Sequence, residues 1–138
     1  MKKRDLLKRV VALPISVILS ISIVGAQVPQ NIIFMIGDGM GLNHIYAAMT
    51  ANHGKLNIER WFHIGFSKTY SANDYITDSA AGGTALACGV KTKNGMVGMS
   101  PDSTKLSSTL TRSGRIGKST GIVVTSSVTH ATPADFIA

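Results

Sequence analysis

The sequence predicts an α/β fold with a mostly parallel sheet, and three stretches carry the prediction. Asn31-Ile32-Ile33-Phe34-Met35-Ile36 is an unbroken apolar run stopped by Gly37-Asp38-Gly39-Met40-Gly41. Ser119-Thr120-Gly121-Ile122-Val123-Val124-Thr125 is a second such run. Runs without polar alternation suit strands buried on both faces, as in a parallel sheet covered by helices. Between them, Thr77 to Gly89 opens on capping residues, continues in Ala and Leu, and closes on glycine, the profile of a short helix.

Length and charge bound the rest. One domain is expected of 138 residues, and a hydrophobic content of 44% argues against disorder. The net charge of +7 invites a nucleic-acid reading, but Lys2, Lys3, Arg4, Lys8 and Arg9 against Asp5 account for +4 of it. The remaining +3 is scattered and not interleaved with aromatics, so nucleic-acid binding is not expected. The basic start is better read as the n-region of a secretory signal. Val10 to Val24 is its apolar segment, and Val24-Gly25-Ala26 before Gln27 resembles a cleavage site. That segment falls short of the ~20 residues that span a membrane, and Pro14 weakens it, so no stable anchor is expected after cleavage, with an uncleaved anchor as the alternative. Residues 1–26 are therefore expected as a signal peptide and residues 27–138 as a secreted or periplasmic domain. Cys88 is the lone cysteine and forms no internal disulfide; its neighbours suggest a small buried hydrophobe.

After the first apolar run, Leu42, Ile45, Tyr46 and Met49 recur at helical spacing, and Gly54 offers a stop. Strand, glycine-rich turn and helix open a βαβ unit. Asp38 then sits past a strand's carboxyl end, where open α/β sheets bind ligands, and its flanking glycines leave room for a metal ion. The turn falls one residue short of a dinucleotide fingerprint, because position 42 is Leu, and its central acid would repel a pyrophosphate. A metal-bound acid and a solvated turn aspartate are the readings left open. Asn57 to Phe62 suggests a short helix carrying Trp61 and Phe62 into the core, and Phe66 to Ser71 a weak strand. Lys93-Asn94-Gly95-Met96 carries a turn signal, and Leu106 with Leu110 suggests a short helix ended by Gly114.

The helix beginning near Thr77 departs from a plain one in two ways. Gly82 and Gly83 fall in its first turns, where each costs about 1 kcal/mol against Ala. That cost is worth bearing where another chain segment or a ligand must approach the backbone. The helix N-terminus also presents unpaired N–H groups and partial positive charge, which suit anions and stabilise a serine alkoxide. Ser79 is thus a candidate nucleophile, against the alternative that Thr77, Asp78 or Ser79 merely caps the helix. Past the second apolar run, His130 and Thr132 stand two residues apart, on one side if the chain is extended, where both could face a cation. An exposed loop histidine and a threonine capping a helix before Pro133 are the structural alternatives.

Taken together, Gly37-Asp38-Gly39-Met40-Gly41, Thr77-Asp78-Ser79-Ala80-Ala81-Gly82-Gly83-Thr84-Ala85 and His130-Ala131-Thr132-Pro133-Ala134 resemble three motifs of the alkaline phosphatase family in order and spacing. The resemblance runs from about Asn31 to the last residue. It implies a three-layer α/β/α sandwich with a mostly parallel central sheet, of which this chain holds the N-terminal portion. It also implies a periplasmic or extracellular hydrolase of small-molecule phosphate monoesters, with two zinc ions and one magnesium, often homodimeric. Under it, Ser79 attacks phosphorus to form a phosphoserine, Ser79 and Ala80 hold the phosphoryl group, and Asp78 orients a phosphate-binding arginine. Asp38 bridges a zinc and the magnesium, Thr132 ligates the magnesium, and His130 lies in its outer sphere.

The departures from the family matter as much. Family members are much longer, and their remaining zinc ligands and phosphate-clamping arginine have no counterpart up to Ala138. One strong carboxylate does not hold zinc, which takes three or four protein ligands. The chain alone is therefore expected to be inactive, with open apolar sheet edges. A non-catalytic secreted remnant that binds phosphate or metal is the alternative. Phosphoglycerate mutases, sulfatases and phosphodiesterases share the general plan, but the signature beginning at Thr77 disfavours them.

Overall fold

Among the described residues, two helices start on a side-chain cap, and two stop ahead of Gly54 and Gly89. The computed structural model describes residues 29–138, and the expected signal peptide lies outside them. The chain divides into two units, Met1–Met35 and Ile36–Ala138. In the first, the described residues carry neither helix nor strand, and Ile33 is 89% exposed.

In the second unit, α1 (Leu42–Ala51) starts after Gly41, whose N–H donates to His44 Nδ1 at 3.3 Å. It stops ahead of Gly54, which adopts φ 78°. The expected apolar stripe has the right spacing, yet none of the helix's residues is buried and Leu42 is 83% exposed. A 3-10 turn (Asn57–Arg60) replaces the next expected helix, with the Glu59 carboxylate accepting the Leu56 N–H at 2.6 Å. Trp61 and Phe62 do not enter a core; Phe62 is 96% exposed.

Three further helices pack on one another: α2 (Ser79–Cys88), α3 (Thr109–Arg115) and α4 (Ala131–Ile137). Asp78 caps α2, its Oδ1 accepting the Ala81 N–H at 2.8 Å. Gly89 ends the helix at φ 74°, a left-handed conformation that a Cβ would strain. Ser108 caps α3 through its Oγ, which accepts the Thr111 N–H at 3.1 Å. That helix runs through Gly114 instead of ending there. The carbonyl of Phe136 in α4 accepts a 2.5 Å bond from Ser108 Oγ, which ties the start of α3 to α4.

The buried residues among these helices and their loops are small or polar. Ala80, Ala81 and Ala87 are the buried hydrophobics, while Ser71, Thr84, Thr92, Ser108 and Asp135 are buried polar groups. Side-chain hydrogen bonds therefore do much of the fastening that large apolar side chains do elsewhere.

The predicted sheet is not formed among the described residues. Asn31–Ile36, Phe66–Ser71 and Ser119–Thr125 carry no strand, and the isolated pairing found is an antiparallel bridge between Met99 and Lys105. The physical reason is that a strand is defined by its ladder. An apolar run shows capacity for a sheet, but it needs a neighbour about 4.8 Å away to take its N–H and C=O groups. Val123 is 100% exposed, so the second run lies uncovered. The three-layer sandwich is accordingly not built within these residues. No helix among them is long and apolar enough to cross a membrane.

Candidate active site

The N-terminus of α2 is held by a cradle of amide and carboxylate groups. Besides capping the helix, Asp78 accepts the Gly95 N–H on Oδ2 at 2.6 Å. Its own N–H donates to Asn94 Oδ1 at 3.1 Å, and Asn94 Nδ2 donates to the Ile76 carbonyl at 2.9 Å. The expected turn is present, with the Met96 N–H donating to the Lys93 carbonyl at 3.1 Å and Gly95 at φ 83°. The turn thus braces the helix start. Asp78→Ala should cost about 2 kcal/mol in urea unfolding, because it removes the acceptor for two amide donors.

Ser79 is the first residue of α2 and is half-buried. Among the described residues its hydroxyl takes no hydrogen-bond partner, and the N–H groups of Ser79 and Ala80 meet no acceptor. The Ala81 N–H is already used by Asp78. A hydroxyl and two open donors therefore sit together at the positive end of the helix.

The other candidates form a second cluster. Thr132 Oγ1 donates to Asp38 Oδ2 at 2.5 Å, joining residues 94 positions apart. His130 stands at the N-cap of α4, exposed, with its N–H donating to the Ser127 carbonyl at 2.9 Å. The chain is helical from Ala131, so His130 and Thr132 do not share one side of an extended segment, and the N-cap place belongs to His130 instead of Thr132. No hydrogen bond among the described residues links this cluster to Ser79. The carboxylate and hydroxyl are hard oxygen donors, which fit magnesium with water completing its shell. Zinc does not fit these residues, because no three His, Cys, Asp or Glu side chains gather among them.

The sequence reading missed Asp135. This carboxyl is fully buried on α4 and bridges to α2: Oδ1 accepts from Thr84 Oγ1 at 2.7 Å and from the Gly98 N–H at 3.3 Å. Oδ2 has no hydrogen-bond partner among the described residues and lies against Gly83, where an added Cβ would come within 2.0 Å of it. The close approach expected at the glycine pair is therefore made by a chain segment, and at Gly83 alone. A Cβ on Gly82 would meet Thr77 at an ordinary 3.5 Å. The one sequence signal for Asp135 is that it is the single charged residue in the stretch Ala131–Ile137.

Burial pushes the Asp135 carboxyl up to about 6, against the pull of the Thr84 and Gly98 hydrogen bonds, with the Asp78 charge adding to the rise. The folded state then binds more protons than the unfolded chain between the ordinary carboxylate value and about 6, so stability falls as pH rises through that window. Asp135→Asn keeps the Oδ1 acceptor and removes the charge. It should abolish that slope and gain about 2 kcal/mol at neutral pH, as read from urea unfolding across the window. The Cys88 thiol is half-buried, not buried; burial pushes its pKa up, Asp135 adds to this, and Arg112 opposes it.

Comparison with known proteins places these clusters in context. A family model described as alkaline phosphatase matches residues 29–138. Alkaline phosphatase 4 of Bacillus subtilis is 46% identical over 116 residues, which cover 78% of this chain and 25% of that protein. The structure of alkaline phosphatase from the Antarctic bacterium TAB5 superposes with a TM-score of 0.77 at 43% identity, over 80% of this chain and 32% of that one. A TAB5 variant with Mg bound in its M3 site has the same TM-score at 42% identity and the same coverage. The chain thus spans about a quarter of the length of the curated relatives it matches. On the match of the family model and these relatives, the chain belongs to the alkaline phosphatase family.

Proposed function

We propose that this chain is the nucleophile-bearing portion of an exported phosphomonoesterase that passes the phosphoryl group through Ser79. The observation that carries the reading is the Ser79 hydroxyl, without a hydrogen-bond partner among the described residues, beside the N–H groups of Ser79 and Ala80 that meet no acceptor among them at the start of α2. Solvent base removes the Ser79 proton, more readily in the positive field of the helix. Oγ then attacks phosphorus, and the Oγ–P bond forms as the bond to the leaving alcohol breaks and that alcohol takes up a proton. The open N–H groups hold an equatorial phosphoryl oxygen during this transfer. Water next attacks the phosphoserine, the Oγ–P bond breaks as Ser79 Oγ regains a proton released from that water, and inorganic phosphate leaves. Asp38 and Thr132, with His130 nearby, would hold magnesium, which would supply positive charge against the substrate dianion. Asp78 keeps the helix start rigid and, in the full site, orients a phosphate-binding arginine.

The same reading extends to features that the described residues do not carry. They are a three-layer α/β/α sandwich joined by the extended apolar segments, two zinc ions on additional ligands with Asp38 contributing to one, homodimeric association, and a periplasmic or extracellular location. A full-length protein carrying this segment, supplied with Zn²⁺ and Mg²⁺, should hydrolyse p-nitrophenyl phosphate at least about 100-fold faster than p-nitrophenyl sulfate or bis(p-nitrophenyl) phosphate. The 138-residue chain alone should show no turnover, given that no three metal-ligating side chains gather among its described residues. A preference for the sulfate or the diester overturns the reading. Phosphate binding without turnover in the full-length protein favours the non-catalytic alternative.

A further inference from the structure

We propose that Asp135 is a positioning residue: its buried carboxyl fastens α4, which carries Thr132, to α2, which carries Ser79, and so holds Thr132 within reach of Asp38. The proposal rests on the reading of Ser79 and the Asp38–Thr132 pair as parts of one site. Thr132, Asp135 and Phe136 lie at i, i+3 and i+4, which places them along one side of α4. Each is tethered to a different segment. Thr132 bonds Asp38, Asp135 bonds Thr84 of α2, and the Phe136 carbonyl accepts from Ser108 ahead of α3. Thr84 sits five residues past Ser79 in the same helix.

The junction is more than a single hydrogen bond. The Gly98 N–H reaches both Thr84 Oγ1, at 2.9 Å, and Asp135 Oδ1, at 3.3 Å, so the loop after the Lys93–Met96 turn closes on the same point. Thr84 has one hydroxyl proton and two acceptors in range, Asp135 Oδ1 at 2.7 Å and the Met96 carbonyl at 3.1 Å. The shorter, charge-assisted bond takes the proton when the carboxyl is ionised. The other carboxylate oxygen lies against Gly83 without a donor among the described residues. A buried carboxylate oxygen with no partner is costly, and an apolar side chain of similar volume would pack at lower cost. Stability alone therefore does not account for an acid at this point, whereas a fixed distance between α2 and α4 does.

The test uses the 138-residue chain labelled with ¹⁵N, with Mn²⁺ as a probe in place of magnesium. In the parent chain Mn²⁺ should broaden the Asp38 and Thr132 amides. Asp135→Ala should shift the Thr132 amide and raise the Mn²⁺ concentration for half-broadening by about tenfold, as expected when a supporting contact behind a ligand is lost. Asp135→Asn, which retains the Oδ1 acceptor, should stay within about twofold of the parent. Thr84→Val should shift the Thr132 amide in the direction of Asp135→Ala, and it decides the matter if Asp135→Ala fails to fold. An unmoved Thr132 amide in both Asp135→Ala and Thr84→Val overturns the proposal, as does equal damage from Asp135→Asn and Asp135→Ala. Absence of broadening in the parent chain counts against the metal reading of Asp38 and Thr132. The amide shifts still decide the role of Asp135 in that case.

Discussion

In a full-length protein carrying this segment, Ser79→Ala should abolish phosphoserine formation and lower turnover by about 10⁴-fold or more. The helix should survive the change. Asp78 makes the capping hydrogen bond, and Ser79 occupies the first helical position with no side-chain bond to lose among the described residues. Unfolding stability should therefore move by no more than about 0.5 kcal/mol. A large loss of turnover with stability unchanged separates a nucleophile from a cap. Retained phosphoenzyme in the variant would remove Ser79 from the mechanism.

Gly83→Ala should destabilise the chain by about 3 kcal/mol or more, although alanine is the better helix former by about 1 kcal/mol. The added Cβ would lie 2.0 Å from Asp135 Oδ2 and 3.0 Å from its Cγ. The carboxyl would have to leave Thr84 and Gly98, taking their hydrogen bonds with it. Gly82→Ala is the internal control, since its Cβ would find Thr77 at 3.5 Å. It should be neutral or stabilising by up to about 1 kcal/mol. Combining Gly83→Ala with Asp135→Ala leaves the Asp135 Cβ at 3.4 Å as the nearest atom of that residue. The double variant should therefore be more stable than Gly83→Ala by about 2 kcal/mol, a non-additive result expected of residues in direct contact. Urea unfolding of these three variants and of Asp135→Ala alone reads all of these values. Equal losses from Gly82→Ala and Gly83→Ala would contradict the close approach of α4.

The parts of this structure that were legible in the sequence are those governed by neighbours along the chain. The cap at Asp78, the stop at Gly89, the turn at Asn94-Gly95 and the 3.6-residue spacing of Leu42, Ile45 and Met49 all depend on a few adjacent residues. The apolar runs at residues 31–36 and 119–125 were legible only as capacity, because a ladder depends on a second strand that local pattern does not specify. Trp61 and Phe62 illustrate the same limit: their size suggested a core, and nothing among the described residues covers them fully. The Asp38–Thr132 contact spans 94 positions. The motif resemblance implied both residues as ligands of one magnesium and not this hydrogen bond, and nothing in either local stretch points to the other. Asp135 belongs to neither category. Its partners lie 51 and 37 positions away, and its own surroundings read as an ordinary helix.

The central claim is that Ser79 accepts the phosphoryl group. The most direct measurement is an acid quench of a full-length protein during turnover of p-nitrophenyl phosphate, followed by peptide mapping of the phosphorylated residue. The account predicts phosphate on Ser79, in the peptide that runs from Thr69 to Lys91 after tryptic cleavage. Phosphate on another residue, or steady turnover with no phosphorylated peptide trapped, would contradict it.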